Sequence, residues 1–482
     1  MVTNRSVNRP GLDGGSYNGP RQVTTRDSAG RLAHQVLQGI REHPAGKLME
    51  RRYRYDAAGQ LEQVGDMRRG TSRYAYDPLG RLTWAQSSLG VETFAFDPAS
   101  NLLERDARDE HDMSLSRPKS RPALLDNLLK DYAGTHYDYD ERGNLRKRVA
   151  HGEKTVFGWN SFNRMVSATT RQMEATYVYD ALGRRIAKSS EAQVPWNLNA
   201  GSGWREAERK RLNREFGYGL TLYGWDGDLL AYETSWEKRT TTHYVYEPES
   251  FTPLMQATGA AVPEATASAP PVFDSVAYYH CDQIGTPQEL SDANGTIAWS
   301  AYYRAWGEAQ EVIGDAARKA GISNPLRFAG QYFDHETGLH YNRHRYYDPH
   351  TGQFISRDPI GLVGGVNVYQ YAPNPIGWID PLGLIKVFRG AKPGNEPSFE
   401  PRSGEYKVKD GMVQPTHGVS VFDNPASCSC RGFEPHEINS DTVPDTLQII
   451  QRGKDQAHYE ITPSAPITEN AYKDALGKIK TR

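Results

Sequence analysis

"YRYDAAGQL" at residues 53–61, "YAYDPLGRL" at 74–82, "FAFDPASNL" at 94–102, "YDYDERGNL" at 137–145, "FGWNSFNRM" at 157–165 and "YVYDALGRR" at 177–185 are six versions of one phrase. Their shared polar position falls at Asp56, Asp77, Asp97, Asp140, Asn160 and Asp180, a period of about twenty with one double interval after Asp97. Tyr-x-Tyr alternation puts two aromatics on one face of a strand. The Asp that follows accepts hydrogen bonds from turn amides, Gly three residues later takes a positive φ, and a second strand starts at Leu. Each unit therefore predicts a β-hairpin that cannot bury its aromatic face alone, and stacking is the remedy. Looser units continue through "LYGWDGDLLAYE" at 222–233 and "HYVYEPESFTPLMQ" at 243–256.

Composition supports a mainly β reading. Hydrophobic residues make up 37% of the 482, but 28 Tyr, 9 Trp and 14 Phe carry the apolar area on rings with usable polar edges. Length predicts two to four units or one large repeat structure. The net charge of -2, from 57 basic and 59 acidic residues, excludes a polyelectrolyte that binds nucleic acid or anionic membrane nonspecifically. Cys281, Cys428 and Cys430 cannot form a disulfide framework, and a Cys-x-Cys pair lacks two ligands of a zinc site, so they read as reduced thiols with no metal. The sequence "MVTNRSVNRPGLDGGSYNGP" has no apolar signal region and no run approaches the ~18 apolar residues of a membrane span. Synthesis in the producer's cytoplasm, and export without a cleaved signal peptide, are expected.

The repeats resemble the tyrosine-aspartate repeats of the Rhs (rearrangement hotspot) and insecticidal-toxin C-component family. After an Ala/Pro-rich interval at 257–274, read as a flexible surface loop, come "YYHCDQIGTPQELSDANGTIAWSAYYRAWGE" and "LRFAGQYFDHETGLHYNRHRYYDPHTGQFISRDPIGL", which resembles the Rhs-associated core signature. The expected division is a cocoon-like repeat shell at 1–274, a core at 275–384 and a small α+β toxin domain at 385–482. Family members have a longer repeat region and N-terminal delivery domains, whereas this chain starts inside the repeats.

Asp-Pro-Ile-Gly-Leu at 358–362 returns as Asp-Pro-Leu-Gly-Leu at 380–384. Asp-Pro alone suits a turn. The resemblance implies more: Asp358 and Asp380 match the two aspartates of a self-cleaving site, Arg357 matches its adjacent basic residue, and the cut falls between Leu384 and Ile385. Two neighbouring carboxyls cannot both ionise easily, so one remains an acid while the other activates water. The reaction is intramolecular, positioned by folding itself, and needs no cofactor.

Beyond Leu384 the rhythm stops. The tail has 8 Lys and 5 Arg against 6 Asp and 7 Glu, which argues against a broad basic nuclease face. Arg389 in "VFRG", Ser420 in "THGVSVFDNPA" and Glu460 in "LQIIQRGKDQAHYEITP" look like the ordered landmarks of the arginine-serine-glutamate ADP-ribosyltransferase toxins. That resemblance implies NAD as co-substrate, Arg389 on its phosphate or ribose, Ser420 supporting Glu460, and Glu460 hydrogen-bonding the ribose beside the nicotinamide. The tail departs from the pattern in two places, with Gly-Val-Ser for Ser-Thr-Ser and His458 two residues before Glu460. A second reading is a small metal-free ribonuclease using His417, His436 and His458 with Glu460 and Arg452. A third is an adhesive or scaffold protein with an inert tail. The family resemblance also implies a cognate immunity protein, a secretion apparatus of type VI kind, a protein or RNA target in another cell, and a shell that confines its own toxin.

Overall fold

In a computed structural model, the structure describes residues 2–6, 21–38, 46–103, 124–125, 127–194, 201–261, 273–361, 367–384, 388–402, 404–409, 411–422, 433–438, 442–444, 446–451 and 458–481. The chain forms two compact units. One comprises Met1–Asp97, Leu102–Ser356 and Ala372–Leu382; the other comprises Pro98–Asn101, Arg357–Tyr371 and Gly383–Arg482.

The first unit is built from hairpins in sequence. An eight-stranded antiparallel sheet runs from Val2–Ser6 to Gly90–Thr93, and a fifteen-stranded one from Asp131–Tyr132 to Ala309–Ile313, every strand pairing with its neighbour in the chain. The repeated phrase dictates the turns. Asp56, Asp77, Asp140, Asn160 and Asp180 each accept the amide of the residue four places on, at 2.8–3.0 Å. Where Asn163 stands for the glycine it adopts φ 56, the left-handed region that Asn tolerates best among residues with a Cβ.

Two features of the repeat were not visible in the phrase. The strand register slips just before the second aromatic, at Arg54/Tyr55, Ala75/Tyr76, Gly158/Trp159 and Val178/Tyr179. Such a bulge turns the side chain away from its regular row. The turned aromatic then donates to a carbonyl of the preceding repeat: Tyr55 to Leu32, Tyr76 to Leu61, Trp159 to Leu145 and Tyr179 to Met165, at 2.7–2.9 Å. The hydroxyl or indole N–H is what ties one hairpin to the next.

The large sheet continues from Pro253–Ala260 directly to Ser275–Cys281. Ala257–Ala260 thus end a strand rather than begin a surface loop, because Ala257 is buried and pairs with His243; residues 262–272 of that interval lie outside the described residues.

The core sequence folds into a four-stranded sheet, Tyr332–Asp334, Leu339–Asn342, Arg345–Asp348 and Gln353–Phe354. Its Leu339, Tyr341, Tyr346 and Ile355 share a hydrophobic cluster with Tyr137, Phe157, Met165 and Tyr177 of the repeats. Buried charge fixes the same junction. Arg185 meets Asp334 at 2.5 Å, with the Tyr341 and Tyr223 rings 4.4 and 4.8 Å from its guanidinium carbon, and Lys188 bridges Asp334 and Glu336. A second buried cluster, Arg51 and Arg69 with Glu289 and Asp66, ties the eight-stranded sheet to the strand Pro287–Asp292.

In the second unit the tail forms an antiparallel sheet in the order Glu434–Glu437, Phe388–Ala391, Val419–Phe422, His458–Pro463, Leu447–Gln451. Its hydrophobic cluster includes Val413, Val419, Val421, Ile449, Ile461, and Tyr472 and Leu476 of the helix Glu469–Leu476. Among the described residues no helix is long and apolar enough to cross a membrane.

Candidate functional site

The predicted aspartate pair divides between the units, Asp358 in the second and Asp380 in the first. Asp358 is buried at 3% exposure; its amide donates to Val368 O at 2.8 Å and its carboxylate accepts the amide of Ile360 at 3.0 Å. It therefore closes a local turn, the ordinary work of Asp before Pro. Arg357 is exposed, with Nε 3.3 Å from the Tyr369 hydroxyl. Asp380 is also 3% exposed; its carbonyl accepts Asn342 Nδ2 at 2.8 Å and its carboxylate lies 3.4 Å from Arg345 Nη2. Leu384 is buried, and Ile385 lies outside the described residues. Asn342 and Arg345 were missed in the sequence because no motif spacing links them to Asp380; only the fold does.

In the tail, Arg389, Ser420 and Glu460 fall on three consecutive strands of one sheet. Ser420 and Glu460 are direct register partners, which places both side chains on one face. The neighbouring rows, Val419, Val421 and Ile461, are fully buried, so the Ser-Glu face is the half-open side of the sheet. Arg389 differs from a surface strand residue: it is 9% exposed, and the register pair Phe388↔Phe422 counts it onto the row opposite Ser420. Its guanidinium nonetheless donates to the backbone carbonyls of Ser420 and Ser398, with Glu405 at 3.9 Å.

The Gly-Val-Ser departure has a steric cause. A Cβ on Gly418 would meet Ile461 O at 1.9 Å, so no serine fits without moving the strand, and the Gly418 amide donates to the Glu460 carboxylate at 3.1 Å. Gly418 is thus a further residue that shapes the site, orienting the acid from the backbone.

The histidines are distributed. His436 is the register partner of Arg389, three strand steps from Glu460 and hence about 14 Å away at the usual spacing. His417 precedes Gly418, and His458 pairs with Phe422 through its backbone; Arg452, Cys428 and Cys430 lie outside the described residues. His417 Nδ1 and His436 Nε2 are buried nitrogens without a partner among the described residues. Among the described residues no cluster of three or more His, Cys, Asp or Glu could hold a metal.

Fold and sequence together define a class. Residues 25–194 match the teneurin YD-shell family and residues 276–313 match the RHS protein family, so this is a YD-repeat shell protein. Within that class the chain belongs to the Rhs family. It is 39% identical over 382 residues to double-stranded DNA deaminase toxin A of Burkholderia cenocepacia (strain H111), covering 75% of this chain and 24% of that one. Toxin protein Tse5 of Pseudomonas aeruginosa (strain PAO1) is 32% identical over 430 residues, 79% of this chain and 30% of its own. The probable deoxyribonuclease RhsA of Dickeya dadantii (strain 3937) is 30% identical over 395 residues, 75% and 24%. The chain therefore spans between about a quarter and a third of the length of these relatives.

Proposed function

We propose that the chain is the C-terminal part of an Rhs-type antibacterial toxin whose core cuts its own backbone after Leu384 and frees a tail that transfers ADP-ribose from NAD. In the cut, water adds to the Leu384 carbonyl, one of Asp358 and Asp380 takes the water's proton, and the other protonates the leaving Ile385 nitrogen as the C–N bond breaks. Arg357 supplies the adjacent positive charge. In the tail, Arg389 and Ser420 bind NAD and Glu460 holds the ribose whose bond to nicotinamide breaks. A cognate immunity protein protects the producer, and a secretion apparatus component carries the protein to the cell where a protein or RNA is modified.

The observation that supports the tail reading is the pairing of Ser420 with Glu460, 40 residues apart in sequence, beside the strand that carries Arg389. Toxin names among the relatives support the wider reading. Two of those names, a deaminase and a deoxyribonuclease, favour a nucleic-acid-directed tail as the second reading. The deciding experiment incubates the full chain with labelled NAD, bacterial lysate and total RNA. Label should pass to lysate in a Glu460-dependent way, with Glu460→Ala lowering transfer at least about 100-fold; intact NAD with degraded or edited nucleic acid would replace this reading by the second.

A further inference from the structure

The acid of the second Asp-Pro copy is gripped by the tip of one hairpin. Strands Leu339–Asn342 and Arg345–Asp348 are joined by the two residues Arg343 and His344, and Asn342↔Arg345 is the register pair that closes the turn. Arg343 takes φ 48, a left-handed conformation of the kind that tight hairpins require, and is anchored to Asp228 at 2.8 Å and to Leu182 O at 3.0 Å. The tip is thereby fixed from behind.

Three successive carbonyls of the Asp380 segment rest on this tip and its neighbour. Asp380 O accepts Asn342 Nδ2 at 2.8 Å, Leu382 O accepts the His344 amide at 3.1 Å, and Pro381 O lies so close to Gly330 that a Cβ there would approach it to 1.9 Å. The Arg345 side chain is wholly buried, its guanidinium carbon 3.6 Å from the Phe354 ring centroid, and its Nη2 faces the Asp380 carboxylate at 3.4 Å. A desolvated guanidinium costs several kcal/mol unless it meets a counter-charge, and the Asp380 carboxylate is placed to serve as one. Asn342 is fully buried, and its second amide atom, Oδ1, has no partner among the described residues, so the bond from Nδ2 to Asp380 O is the side chain's described anchor.

We propose that this hairpin tip is a positioning clamp for self-cleavage, with Arg345 aiming the Asp380 carboxylate and Asn342 fixing the peptide plane that follows it. The inference rests on the self-cleavage reading above. Neither residue takes part in bond breaking; both set where the acid stands relative to the chain it acts on, four residues before Leu384 of the Leu384–Ile385 junction. Misplacement of a catalytic group by about 1 Å costs about 100-fold in rate.

The test follows the intact mass of the full chain with time after synthesis. Wild type should resolve into two fragments and Asp380→Asn should stay whole. Arg345→Met and Asn342→Leu should slow the cut about 100-fold, and Arg345→Lys should recover to within about tenfold of wild type, since it restores the charge without the fork. Should Arg345→Met give no soluble protein, Asn342→Leu and Arg345→Lys decide by the same criteria. Wild-type rates in Arg345→Met or Asn342→Leu, beside an uncut Asp380→Asn, overturn the clamp alone; a split Asp380→Asn or an uncut wild type overturns the self-cleavage reading and the clamp with it.

Discussion

His280 and Asp282 stand two positions apart and titrate abnormally in opposite senses. Burial pushes Asp282 up to about 6 from 3.8, although it accepts the Ile284 and Thr286 amides and Gln288 Nε2. Burial pushes His280 down to about 4 from 6.5, with Glu289 opposing and Arg51 reinforcing the shift. The signs are determinate. Between about pH 4 and 6 the unfolded chain carries a protonated histidine and an ionised aspartate, while the folded chain holds both neutral, so the proton counts match and the pair adds no slope to stability. Removing one partner exposes the other. In His280→Gln the raised Asp282 remains, and stability should fall as pH rises from about 4 to 6, by about 1.4 kcal/mol per unit. In Asp282→Asn the lowered His280 remains, and stability should fall by the same slope as pH drops from about 6.5 to 4. Urea midpoints across this range read both, and parallel wild-type-like curves in the two variants would refute the assignment.

Hairpins stack here through one polar atom per repeat. Tyr179 donates to Met165 O at 2.7 Å and also meets Tyr346 OH at 3.0 Å, so Tyr179→Phe should destabilise by about 1–2 kcal/mol in a denaturant melt. Phe162, 74% exposed at a turn tip, gives the contrast: Phe162→Ser should stay within about 0.5 kcal/mol. What could be read from sequence follows from the range of each interaction. The turn of Asp56 or Asp180 is complete within five residues, and so its chemistry is written in the phrase. The reach of Tyr76 back to Leu61, and the bulge that aims it, depend on neighbouring strands and leave no local mark. Turns of the same kind at Asp27, Asp282 and Asp292 escaped the Tyr-Asp pattern because Asp27 and Asp292 lack both aromatics and Asp282 keeps only Tyr279, with Cys281 in the second place, although Asp and the glycine three places on are present. In the tail the order Arg389, Ser420, Glu460 was legible, but the Ser420–Glu460 register was not, since it joins residues 40 positions apart. The burial of Arg389 was likewise hidden.

For the whole molecule, one boundary between the units falls between Leu382 and Gly383, two residues from the proposed cut, while Pro98–Asn101 and Arg357–Tyr371 of the second unit lie on the other side of it. A cut placed there leaves the tail's hydrophobic cluster intact, since among the described residues its members lie between Phe399 and Ile479 and none comes from the repeats. Tyr472 binds that cluster to the site: its ring is fully buried, and its hydroxyl donates to Ile461 O at 2.5 Å, one residue from Glu460. A polypeptide with its own core and its own sheet is expected to hold its fold without the shell. Edman sequencing of the smaller fragment should therefore begin at Ile385, and that fragment, separated in denaturant, should refold and melt in one cooperative transition. Tyr472→Ala should lower its stability by about 3–5 kcal/mol. A refolded fragment with no cooperative melt would mean that the tail takes its structure from the rest of the chain, and release would then unfold it rather than arm it.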